Sequence, residues 1–105
     1  MGEITPKTPP LLSQAIVVWT GRGRTAWPSR DERYVVEQFG EDVAVTLMPA
    51  IKELAADFYL SSARDTVADL SEMGDVAASE FRSRHPEISE EAVQALRWCY
   101  TYDYK

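Results

Sequence analysis

His85 is the only histidine and Cys99 the only cysteine of the 105-residue chain. They are its most versatile side chains, a base that titrates near neutrality and a thiol nucleophile. A Cys–His nucleophilic pair needs a third group to orient the base, and the sequence marks none. His85 precedes Pro86 at a predicted helix end, where it complements the helix dipole. Cys99 falls on the apolar face of a predicted helix and reads as a small buried hydrophobe. A single cysteine excludes an intrachain disulfide and a cysteine-based zinc site, and suits a reducing cytoplasm.

Glu41–Asp42 and Glu90–Glu91 are adjacent carboxylate pairs. Neighbours on a helix point about 100° apart, so neither pair converges on one substrate. Both pairs open predicted helices, where acids are favoured by the dipole. Gly21-Arg22-Gly23-Arg24 invites a phosphate-binding reading. The P-loop pattern requires Gly, four residues and Gly-Lys-Ser/Thr, and the dinucleotide pattern requires a third glycine; neither is present. The segment reads as a surface loop, and no catalytic set, metal or cofactor is predicted. Arg22, Arg24, Arg30 and Arg33 cluster there and are candidates for anion or nucleic-acid contact.

The formal net charge is -6. Between Glu37 and Glu91 acids far outnumber bases, as solvated helix faces or as a docking surface for a basic protein. Such a balance disfavours wrapping nucleic acid by charge alone. The start, MGEITPKTPPLLSQAIVVW, mixes acid, base and proline and reads as no signal peptide. No stretch approaches the roughly 18 apolar residues of a membrane helix. The expectation is a soluble cytoplasmic protein.

The elements that must position these residues are mainly helical. Residues 1–12 read as a flexible arm and 13–105 as one helical domain. Ala15–Trp19 is the one β-branched run, a short strand or an extended apolar segment laid across helices. Ser29 and Glu32 form a capping box ahead of a helix over 30–39, which Gly40 ends. Residues 41–60 form the clearest helix. Val43, Ala44, Leu47, Met48, Ile51, Leu54, Ala55, Phe58 and Tyr59 share its buried face, and Pro49 on the polar side predicts a kink. A third helix is predicted over 64–84, with Gly74, Ala77 and Ala78 permitting close approach within the chain or across a dimer. Ser89 caps a fourth over 89–101. These elements make a compact four-helix domain with a kinked second helix and a short N-terminal extended segment.

The chain ends in Trp98, Tyr100, Tyr102 and Tyr104 on alternate positions. The helical stripe through Cys99 and Tyr100 predicts a helix followed by a docked or mobile tail, with a terminal strand pairing with Ala15–Trp19 as the alternative. Large aromatics of this kind anchor protein partners.

Residues 66–100 resemble a family of small helix-turn-helix antitoxins encoded beside toxin genes. Leu70 and Gly74 match its first helix and turn. Phe81, Pro86, Ile88, Ser89, Glu91, Val93 and Ala95 match the helix that follows. The resemblance implies a tri-helical module that binds DNA or a toxin, with Arg82, Arg84 and Arg97 as phosphate contacts and the acidic faces meeting the toxin. The expected function is therefore non-enzymatic protein binding of the antitoxin or immunity-protein sort, as a monomer or homodimer. A DNA-binding regulator is the first alternative and a small enzyme or ligand carrier the second.

Overall fold

Leu12, Ala15, Ile16 and Trp19 recur at three- and four-residue spacing, and all four are buried. That is the pattern of a helix packed on one side, and the computed structural model, which describes residues 9–105, shows one. Helix α1 spans Pro9–Thr20. This corrects the expected strand or extended segment. Pro9 and Pro10 fall at first-turn positions, where the missing N–H is unpaired anyway. The β-branched run costs only tenths of a kcal/mol per residue in helix propensity. Burying a side chain such as Ile16 returns about 1.5–3 kcal/mol. The expected arm lies outside the described residues over 1–8, and its residues 9–12 open α1 instead.

A loop then leads to α2 (Glu32–Phe39). Gly21 has φ +84, and a Cβ there would stand 2.5 Å from the Ser29 hydroxyl. The predicted capping box is corrected. Arg30 takes a left-handed φ of 49, and Asp31 becomes the cap, its carboxylate accepting from the Arg33 amide. The Ser29 amide donates instead to the Thr20 carbonyl, and the Asp31 amide to that of Trp19. The loop is thereby sewn to the end of α1.

Gly40 ends α2, and α3 (Glu41–Phe58) follows at once. It buries Ala44, Leu47, Met48, Ile51 and Phe58 and continues through Pro49, which faces solvent. The predicted helix over 64–84 is in fact two. A single turn, α4 (Ala63–Thr66), precedes α5 (Leu70–Arg84). Val67 and Asp69 are extended between them, and the Asp69 carboxylate caps α5 by accepting from the Glu72 amide at 2.9 Å. Gly74 lies inside α5 and ends no helix. A Cβ there would reach within 2.6 Å of Thr101 and 2.9 Å of Arg97, so the small-residue stripe serves packing within the chain.

Ser89 caps α6 (Glu90–Tyr104), whose hydroxyl accepts from Ala92. The Ser89 amide donates to the buried Ser13 hydroxyl at 2.9 Å, fixing α1 to the start of α6. The expected tail after residue 101 is also corrected, since the helix runs on to Tyr104. Tyr104 packs edge-on against Tyr100 one turn earlier, with centroids 4.9 Å apart, and at a tilt against Tyr59, at 6.0 Å. The described residues therefore hold five helices of eight residues or more plus the single-turn α4, and no strand. The core centres on Phe58, whose ring lies 5.2 Å from Phe81 and 5.6 Å from Tyr100.

Candidate functional site

Each arginine singled out by sequence has an intramolecular partner. Arg24 pairs with Glu37, Arg33 with Asp31, Arg82 with Glu90, Arg84 with Asp57 and Arg97 with Asp75. Arg22 donates to the Gln94 carbonyl, and Arg64 to the carbonyls of Tyr59 and Ser61. Arg30 holds the Asp103 carboxylate through both terminal nitrogens, at 2.8 and 3.1 Å. By contrast, the exposed carboxylates of Glu41, Asp42, Glu53, Asp65, Glu72 and Glu91 form no ion pair among the described residues.

Two polar clusters join residues far apart in sequence, and no spacing in the chain signals either. In the first, the Tyr59 hydroxyl donates to Asp103 at 2.5 Å beside Arg30. Burial and then the Asp103 hydrogen bond push the Tyr59 phenol well above its ordinary range. Asp103 is itself held below the ordinary carboxylate range, because bonds from Arg30 and Tyr59 and the Arg30 charge outweigh burial. The cluster borders a small cavity of about 230 Å³ that Trp19, Leu96 and Cys99 also line. Burial pushes the Cys99 thiol up to about 12, which keeps it protonated and poorly nucleophilic.

The second cluster sits at the C-terminus of α5, where His85 Nε2 is 2.8 Å from Asp57 Oδ2 and its ring lies 4.7 Å from Phe81. Arg84 Nε meets the same carboxylate oxygen at 2.9 Å. Asp57 is held low because Arg84 and His85 together outweigh its desolvation. Asp57 and His85 line an open groove of about 530 Å³ with Leu12, Leu54, Leu60 and Glu87. His85 and Cys99 thus line different cavities and form no catalytic pair.

The terminal aromatics are divided by the helix. Tyr100 is 0% exposed. Its hydroxyl accepts from the Arg64 amide at 3.0 Å and donates to the Ser61 carbonyl at 3.2 Å. As a partner anchor it is corrected to a core residue, because α6 turns it toward Phe58. Trp98 and Tyr102, four residues apart, share the outward side of α6 with Gln94. Trp98 is half-buried, Tyr102 is 40% exposed beneath Lys105, and Tyr104 is 38% exposed.

The ion pairs carry a pH signature. Glu90 falls from 4.5 to about 2, chiefly through its bonds with Arg82 and then Gln94. Asp31, Asp57 and Asp103 shift the same way. A carboxyl held low when folded stabilises the fold above its unfolded pKa, and that contribution disappears as pH falls through the folded value. The thermal midpoint, followed by circular dichroism, is therefore expected to be level above about pH 5 and to fall between about pH 4.5 and pH 2. A level midpoint across that window would show that these pairs contribute nothing to stability.

No helix among the described residues is long and apolar enough to cross a membrane. No known protein family, curated protein or solved structure matches the chain.

Proposed function

We propose that the chain is a non-enzymatic, acidic protein-binding module that docks a basic partner protein in the manner of an antitoxin or immunity protein. The observation that carries this reading is the inequality of the charges. Every arginine of the described residues is engaged within the fold, while at least six exposed carboxylates are not. Such a surface steers basic partners by long-range attraction. Trp98 and Tyr102 on the outward side of α6 supply anchors of the kind that dominate binding energy, whereas Tyr104 packs on Tyr59 and Tyr100. Contact with nucleic acid through the same arginines would first have to break their internal pairs.

The test is capture of the partner from host lysate with the tagged chain, after nuclease, followed by titration of the purified partner. The double substitution Trp98→Ala and Tyr102→Ala is expected to weaken binding by about 30-fold or more, the loss of one strong anchor. An unchanged affinity would remove α6 from the interface. A salt-sensitive shift of duplex DNA in place of any protein partner would replace the proposal with the regulator reading.

A further inference from the structure

Asp103 is out of place in its helix. It lies in the last turn of α6, which carries no basic residue. A carboxylate there meets the negative end of the helix dipole. Arg30 is out of place in its backbone. Its φ of 49 falls in the left-handed region, which is costly for a residue with a Cβ. The two local conflicts meet in one contact. Arg30 Nη1 and Nη2 hold the two Asp103 oxygens at 2.8 and 3.1 Å, and the Tyr59 hydroxyl donates to Oδ2 at 2.5 Å. Conflicts of this kind collect at functional sites.

The donors and the acceptor come from different parts of the fold. Arg30 stands in the loop whose Ser29 and Asp31 amides are bonded to the end of α1. Tyr59 follows α3 directly. Arg30 Nη1 also donates to the Tyr59 oxygen at 3.2 Å, so the two donors are held together independently of α6. Asp103 lies at the surface, and its carboxylate can leave for water by side-chain rotation. A guanidinium fork with a hydroxyl beside it suits a free carboxylate as well as a side chain. The fork opens on the cavity of about 230 Å³ walled by Trp19, Ala55, Leu96 and Cys99. A cavity of about 150 Å³ already admits a benzene ring.

We propose that Arg30 and Tyr59 form a binding site for a small carboxylic acid with an apolar body, and that Asp103 is its built-in competitor. The ligand's carboxylate replaces that of Asp103 on the Arg30 fork, and its body lies against Trp19 and Leu96. An inorganic anion matches the fork but leaves the apolar wall uncovered, so the cavity favours an organic acid. Competition lowers the apparent affinity by the fraction of molecules in which Asp103 has let go.

Titration of the isotope-labelled full chain with benzoate, followed by nuclear magnetic resonance at the Trp19 indole and the Cys99 amide, is the test. Saturable shifts are expected there, with a dissociation constant of about 1 mM. Benzamide, which has the ring without the charge, and inorganic phosphate should both leave these signals in place. Asp103→Asn keeps the competitor's shape without its charge and should tighten benzoate about tenfold. Arg30→Gly keeps the left-handed backbone without the fork and should abolish binding. Should circular dichroism show that variant unfolded, Tyr59→Phe, which removes only the hydroxyl, should weaken binding severalfold. No shift of the wild-type chain at about 20 mM benzoate would overturn the proposal. So would equal binding of benzamide or phosphate, undiminished binding by the Arg30 or Tyr59 variant, or no gain from Asp103→Asn. Partner binding through Trp98 and Tyr102 is not read by this experiment, so the two proposals fail independently.

Discussion

Tyr100→Ala is expected to cost the fold about 3–5 kcal/mol, while Tyr102→Ala, two residues on, should stay within about 0.5 kcal/mol of wild type. In sequence Tyr100 falls on the apolar stripe of the last helix with Cys99, and Tyr102 falls beyond it. Tyr100 packs its ring against Phe58 and Tyr59. Its hydroxyl closes the α3–α4 turn through Ser61 and Arg64. Truncation opens a cavity and leaves the Arg64 amide without its acceptor, a loss worth about 1–3 kcal/mol of that total, while the Ser61 carbonyl keeps its bond from the Arg64 side chain. Tyr102 lies on the outer side of the same helix, with the Lys105 ammonium 4.2 Å from its ring. Chemical denaturation of the two variants measures the difference directly. For a domain whose total stability is about 5–15 kcal/mol, the first variant approaches unfolding at ordinary temperature. Equal, small effects would show that Tyr100 is not part of the core.

Gln14→Pro is expected to destabilise the chain by about 3 kcal/mol. Gln14 is exposed, so the substitution removes no buried contact. In the interior of α1 a proline deletes the bond to the Pro10 carbonyl and crowds the preceding turn. In an extended surface segment the same change would be nearly neutral. The midpoint and slope of urea unfolding therefore report whether Pro9–Thr20 is a helix in solution. A shift below about 0.5 kcal/mol would return the segment to the extended form.

These two tests bear on the places where local signals and tertiary packing disagree. Residues 29–32 offered a capping box, but the left-handed Arg30 moved the cap to Asp31. The Val67–Phe81 stripe permitted one long helix, yet Asp69 caps a new one. In the first case a cap worth about 1 kcal/mol yielded to the bonds that tie Ser29 and Asp31 to the end of α1; in the second a local cap prevailed over the apolar period. The candidate site was less legible still. Arg30 and Asp103 are 73 residues apart, and Arg84 and Asp57 are 27 apart. No spacing rule connects such pairs. Read along the chain, the arginines suggest a basic patch; folded, each is answered by a carboxylate or a carbonyl.

Other features were determined by the sequence alone, because their causes lie within a few residues. The helical period placed Leu47, Met48, Ile51 and Phe58 on one buried face. Gly40 supplied the positive φ that separates α2 from α3, and Ser89 the hydroxyl that starts α6. The apolar neighbours of Cys99 fixed its burial. The single cysteine excluded an intrachain disulfide and a cysteine-based zinc site before the fold was known. Only the tertiary structure decided that the last helix runs on to Tyr104 and sets that ring against Tyr59. It alone decided which arginines are neutralised, and which face of α3 is left uncovered. The reason is physical: a helix sets the angular order of its side chains by itself, but only its neighbours determine which of those angles meet water.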